Sequence, residues 1–181
     1  MSSYDLYDVQ QRPRPMTDSS LILDDFSSQA PDWEMVSDQV MGGVSGGNLS
    51  HARLKARMAL RLTGHVSTEN NGGFLQMARD LGGIDGMDAS AYTGLSLDVL
   101  GNGESYNIHL RTKDVTRPWQ SYRMTFTAPG DWTTVILPFV DFTAHRLTSP
   151  LDLKSLRRIG IVAIGKDFHA DIAVAQLRLY R

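Results

Sequence analysis

Gly94-Leu95-Ser96-Leu97-Asp98-Val99 alternates apolar and polar side chains, Gly101-Asn102-Gly103 interrupts it, and Tyr106-Asn107-Ile108-His109-Leu110-Arg111 takes the alternation up again. A repeat of two is the repeat of a β-strand with one buried face, since successive side chains point to opposite sides of a sheet. Leu95, Leu97 and Val99 share one face of the first run, with Ser96 and Asp98 opposite. Tyr106, Ile108 and Leu110 share one face of the second, with Asn107, His109 and Arg111 opposite. Gly-Asn-Gly is tight-turn chemistry, so the two runs are expected to pair as a hairpin. Tyr122, Met124 and Phe126 against Arg123 and Thr125 repeat the pattern. The turn Ala128-Pro129-Gly130-Asp131 and a strand from Trp132 to Leu137 follow, and these strands are expected to be consecutive antiparallel neighbours.

Outward from this centre the same grammar continues. Met58, Leu60 and Leu62 mark an earlier strand, Phe74 to Ala78 another, Ile159 to Ile164 and Ile172 to Tyr180 the last two, and Leu21 to Phe26 opens the sheet. Short apolar runs separated by Gly, Pro, Asn and Asp characterise an all-β chain, and two packed antiparallel sheets are the expected architecture. Ser149-Pro150 before Leu151 to Arg158 places one short helix or turn there, with proline at the first helical position. Residues 1–19 carry Pro13 and Pro15 and no apolar period. They are expected to form a flexible N-terminal tail, with 20–181 a single β-sandwich domain.

The composition excludes several classes of function. The 181 residues include no cysteine, which removes disulfides, thiolate metal sites and cysteine nucleophiles and fits a reducing, cytoplasmic home. Eighteen Lys and Arg against twenty Asp and Glu give a formal charge of -2 without a basic run, so nucleic acid is not expected as a partner. No apolar stretch is long enough for direct membrane insertion. His51, His65, His109, His145 and His169 show neither of the close spacings that put two ligands on one metal, and no metal or cofactor is expected. Ser45 and Asp38 with a distant histidine make a triad only on paper, because the nucleophile-elbow motif is absent. Asp24-Asp25 supplies two of the six or more oxygens that a calcium ion needs, and a turn is the simpler reading.

Two glycine pairs stand out: Trp33 to Ser45, which contains Asp38-Gln39-Val40-Met41-Gly42-Gly43-Val44-Ser45, and Thr68-Glu69-Asn70-Asn71-Gly72-Gly73-Phe74. From the residues alone, they read as tight corners in which Asp38, Asn70 and Asn71 bond loop amides, with a ligand-cradling nest as the alternative. In that order they resemble the complex I intermediate-associated protein 30 family. The likeness runs through Tyr92 to Leu95, Gly101 to Gly103, Trp132 and Leu137-Pro138-Phe139 to the closing strand, about residues 21–181. Matching positions are Trp33, Asp38, Met41, Gly42, Gly43, Ser45, Asn70, Asn71, Gly72, Gly73, Phe74 and Trp132. The chain departs from the pattern at Asp141 to Leu147 and at Lys166-Asp167-Phe168. The resemblance implies a galactose-binding-like jelly roll and a non-catalytic, chaperone-like role in holding a protein partner, such as subunits of a respiratory or other membrane complex, during assembly.

The alternation itself supports a second expectation. Asp98, Asn107, His109, Arg111, Arg123 and Thr125 are expected on one polar surface across adjacent strands, with Trp119 as an aromatic platform beside it, an arrangement suited to a glycan or small molecule. An assembly factor would instead present loop-borne apolar anchors, and Met41, Pro118, Trp119, Phe139 and Phe142 are the candidates. A concave polar groove favours the first expectation and a flat apolar patch the second. A hydrolase concealed in the glycine-lined loops ranks third.

Overall fold

The computed structural model describes residues 20–29 and 32–181; the N-terminal segment 1–19 lies outside the described residues. Among the described residues twelve strands follow one another: β1 (Leu21–Asp24), β2 (Glu34–Ser37), β3 (Gly46–Leu54), β4 (Arg57–Val66), β5 (Phe74–Asp80), β6 (Gly94–Gly101), β7 (Ser105–Thr112), β8 (Ser121–Thr127), β9 (Thr133–Pro138), β10 (Thr143–His145), β11 (Leu156–Ile164) and β12 (Phe168–Tyr180). They form two antiparallel sheets. The first has the order β3-β4-β12-β6-β9, with β1 also on β12; the second has the order β10-β8-β7-β11-β5-β2. This is the antiparallel jelly-roll sandwich that the sequence implies. No helix among the described residues is long and apolar enough to cross a membrane.

The alternation places the core as expected. Leu95, Leu97 and Val99 of β6 and Tyr106, Ile108 and Leu110 of β7 are all fully buried in one cluster. Their strands do not pair, however. β6 bonds to β12 and β9 in the first sheet, and β7 bonds to β8 and β11 in the second. Gly101-Asn102-Gly103 is therefore an arch from sheet to sheet rather than a hairpin turn. It lets two strands with one apolar face each bury those faces against one another instead of side by side. Asn102 fastens the arch: its Nδ2 donates to the His169 carbonyl at 2.9 Å and its Oδ1 accepts from the Tyr106 hydroxyl at 2.7 Å. The chain crosses again between β8 and β9, so of the consecutive pairings expected only β7–β8 forms, while β6 and β9 pair with each other.

β12 shows how one residue redirects a strand. Ile172 and Val174 point into the core, the register on β6 shifts between Val174 and Gln176, and from there Leu177 and Leu179 point inward. One extra residue flips the inward parity from even to odd numbers. Ala173 and Ala175 are left on the outer side, where with Ala59 they form a small cluster beneath Trp132 and Leu54. The short helical element also differs from expectation. A single 3-10 turn covers Leu153–Ser155, and Asp152 caps it by accepting from the Lys154 amide at 3.1 Å; Ser149-Pro150 lies upstream.

Candidate functional site

The two glycine pairs come together around one carboxylate. Asp38 opens a 3-10 turn (Asp38–Met41) after β2 and has no exposed surface. It accepts from the Ser45 amide at 2.9 Å, the Ser45 hydroxyl at 2.5 Å, the Gly73 amide at 2.6 Å and the Phe74 amide at 3.3 Å. Burial works to raise its pKa, but those four donors outweigh burial and hold the carboxyl below its ordinary value. A Cβ at Gly43 or Gly72 would run into this side chain, which is why glycine stands at both positions. Gly42 ends the turn at φ 86°, and the Asn70 amide nitrogen reaches the Gly42 carbonyl at 3.2 Å. Asp167, one of the positions that depart from the family pattern, takes the Thr68 amide at 2.7 Å and so ties down the second loop. The Ser45 hydroxyl, buried and bonded to Asp38 and to the Ser67 carbonyl at 3.2 Å, is part of this knot rather than an accessible nucleophile.

Trp33 and Trp132 are scaffold residues. Trp33 is buried against Phe26 with ring centroids 5.6 Å apart, and its indole nitrogen donates to Asp24 at 2.9 Å. Asp24 also accepts from Arg79 at 3.3 Å and from the Phe26 amide at 2.8 Å, so its carboxylate is occupied by protein donors. Trp132 lies under the Arg57 guanidinium at 5.0 Å and donates to the Leu54 carbonyl at 3.1 Å.

The outer face of the second sheet is concave and holds a groove of about 1260 Å³. The core-facing alternation of β7 and β8 sends Asn107, His109 and Arg111, and Arg123 and Thr125, to this outer side, with His109 directly opposite Arg123. β11 follows with Arg158 opposite Arg111, and β10 brings His145 in beyond β8. His109, Arg111, Arg123 and Trp119 therefore share one groove, with Asn107 on the same strand face. Asp98 does not join them. It sits on β6 in the other sheet, where it accepts from Arg57 at 2.8 Å, Arg178 at 3.1 Å and the Thr134 hydroxyl at 2.7 Å. The sheet-to-sheet arch after β6 is the cause of that separation.

One end of the groove belongs to the Asp38 knot: Val40, Met41, Asn71, Gly73 and Phe74 line it, and Val40 and Met41 are 75% and 61% exposed. The other wall carries Pro118 and Trp119, the latter 55% exposed with Arg117 beside its ring. Phe139 and Phe142, expected as loop anchors, instead pack on the core with ring centroids 6.3 Å apart. The sequence reading did not anticipate Gln76, Val162 and Ile164 in the floor. The alternation of β5 and β11 carried that signal, had their outer faces been assigned to the same sheet as β7.

Electrostatically the groove is one-sided. Five Arg and Lys side chains line it against two carboxylates, and Arg158 takes both of these, Glu34 at 2.5 Å and Asp80 at 2.8 Å. Arg111 and Arg123 have no carboxylate partner among the described residues. Arg123 donates to the Ser121 hydroxyl at 2.8 Å and Arg111 to the Arg117 carbonyl at 3.2 Å. Burial and neighbouring arginines lower the pKa of both guanidinium groups, Arg158 and Arg157 acting on Arg111 and Arg146 on Arg123. Burial, then Arg123 and His145, push His109 down to about 3, so its ring is neutral at physiological pH. His109 Nε2 and Arg111 Nε are buried without a hydrogen-bond partner among the described residues, a cost on the order of 1–3 kcal/mol each.

Residues 24–173 match the family model described as Complex I intermediate-associated protein 30. No curated protein matches the chain. Among solved structures, it is similar to the family 11 carbohydrate-binding module from Clostridium thermocellum in complex with a β-1,3-1,4-mixed-linked tetrasaccharide, at 16% identity and TM-score 0.72, over 89% of this chain and 95% of that one. The family 11 module of the cellulosomal cellulase Lic26A-Cel5E of the same organism gives 18% identity and TM-score 0.72, over 89% and 94%. A family 30 module of its cellulosomal cellulase Cel9D-Cel44B gives 18% identity and TM-score 0.56, over 75% and 88%. At these identities the likeness to solved structures is one of fold.

Proposed function

The chain belongs to the complex I intermediate-associated protein 30 family, and from the groove of its second sheet we propose that this member is a non-catalytic binding module that receives an oligosaccharide there. The groove itself carries the reading: a concave floor that mixes polar and cationic side chains with apolar ones such as Val162 and Ile164, spanning several strands, with an exposed tryptophan on its wall. Similar structures named for carbohydrate binding support it at the level of fold. Both carboxylates that line the groove are bonded to Arg158, which leaves neither as a free acid or base and supports the non-catalytic part. Screening the full chain and Trp119→Ala against a glycan array tests the reading. Glycans bound by the parent and lost by the variant are expected, and an array on which the parent binds nothing overturns it.

A second reading, a protein-holding assembly module, is favoured by the family membership and by the exposed Val40 and Met41 at the rim. Crosslinking in cells followed by mass spectrometry checks it: subunits of a membrane complex recovered with the parent and lost with Met41→Ser would support it over the glycan reading.

A further inference from the structure

The paired and unpaired arginines of the molecule differ in one respect. Arg57, Arg61, Arg79, Arg158 and Arg178 are partly buried, and each meets a carboxylate within 3.3 Å. Arg111 and Arg123 are also partly buried, yet they meet none among the described residues. They are diagonal neighbours on β7 and β8, separated by the His109–Arg123 pairing, which puts their Cβ atoms roughly 7–8 Å apart. Two guanidinium groups so spaced can close on a single anionic group, because each presents a planar fork of donors that matches an oxyanion. Arg158, which consumes both of the groove's carboxylates, keeps the floor from neutralising itself. All of this sits in a chain whose formal charge is -2, so the positive field is local to the groove.

We infer that the ligand is an acidic oligosaccharide, one whose sugar residues bear carboxylates, seated with an anionic group on Arg111 and Arg123 and a ring against Trp119. The inference rests on the groove being the binding surface, as proposed above. It adds the charge of the ligand to that reading. His109, opposite Arg123 and two residues from Arg111 on β7, contributes no charge to the contact.

Isothermal titration calorimetry on the full chain with tetragalacturonate and with cellotetraose, at low and high salt, separates the possibilities. Expected is binding of tetragalacturonate at least about tenfold tighter than of cellotetraose, weakening with salt. Arg123→Gln and Arg111→Gln should each lose at least about tenfold, with Arg123→Lys retaining part of the affinity. Circular dichroism and urea midpoints unchanged from the parent would show that these variants fold. Equal affinity for both tetrasaccharides, or tetragalacturonate binding untouched by either Gln variant, overturns the acidic ligand; in the first case the groove still stands as a neutral-glycan site. Binding of neither tetrasaccharide overturns both this inference and the oligosaccharide reading.

Discussion

The outer faces of the two sheets are built from the same strand alternation and end in opposite electrostatic states. On the first sheet, Asp98 is nearly buried among Arg57, Arg178 and Thr134, and Arg61 holds Asp171 at 2.7 Å. That face satisfies itself. On the second sheet, Arg158 gathers both carboxylates while Arg111, Arg123 and the buried His109 nitrogen are left without such partners among the described residues. Buried polar groups are normally matched within the fold, so a face that leaves them unmatched is paying in stability for something other than folding. Polar alternation along a strand is therefore not a functional signal in itself; the signal is whether the polar atoms find one another.

The largest test of this contrast lies beneath the groove's rim. Asp38→Ala removes the acceptor of four donors, leaves the Ser45 and Gly73 amides unmatched in the interior, and should cost about 3–5 kcal/mol by urea denaturation, the groove end at Met41 loosening with it. Next comes the self-satisfied face. Asp98→Ala strands Arg57 and Arg178, and because both are partly exposed the loss should be about 2–3 kcal/mol. The same carboxyl predicts an acid limb. Burial works against ionisation of Asp98, but its bonds to Arg57 and Thr134 and the field of Arg178 and Arg57 hold its pKa below the ordinary value. A depressed folded pKa gives stability that is present above the unfolded value, about 3.9, and lost as pH falls through the folded one. Asp98→Asn should thus be less stable than the parent at neutral pH and show a shallower decline below about pH 4, which denaturation at a series of pH values would measure.

The groove should behave in the opposite sense. Arg111→Met removes a half-buried cation with an unmatched nitrogen, and the stability should change by less than about 1 kcal/mol, with an increase the more informative outcome. A loss as large as that of Asp98→Ala would break the comparison. Smallest of all is Trp119→Ala: the ring is 55% exposed, so stability should stay within about 0.5 kcal/mol while glycan binding is lost.

Much of the fold was legible because alternation is local. Leu95 to Val99 and Tyr106 to Leu110 announce their buried faces by spacing alone, and every one of them is in the core. Strands β2, β3 and β10 were not legible. β2 and β10 have 4 and 3 residues and lack an apolar stripe, and they exist because β5 and β8 offer open edges to pair with. The candidate site was half legible: Asn107, His109, Arg111, Trp119 and Arg123 were named from the face they occupy and the loop beside it. Asp98 was named from the same rule and lies on the other side of the molecule.

The sequence by itself determined that the chain is a β-sandwich, which side of β6, β7 and β8 faces inward, and that Asp38 and the two glycine pairs belong to one family signature. Only the tertiary structure decided that Gly101-Asn102-Gly103 is an arch, that Gly43 and Gly72 are small because Asp38 passes against both, and that Arg111 and Arg123 stand without a carboxylate while Arg57 and Arg178 share one. The reason is physical: which face a residue takes depends on its immediate neighbours along the chain, whereas which charge it meets depends on strands brought together from distant parts of the sequence.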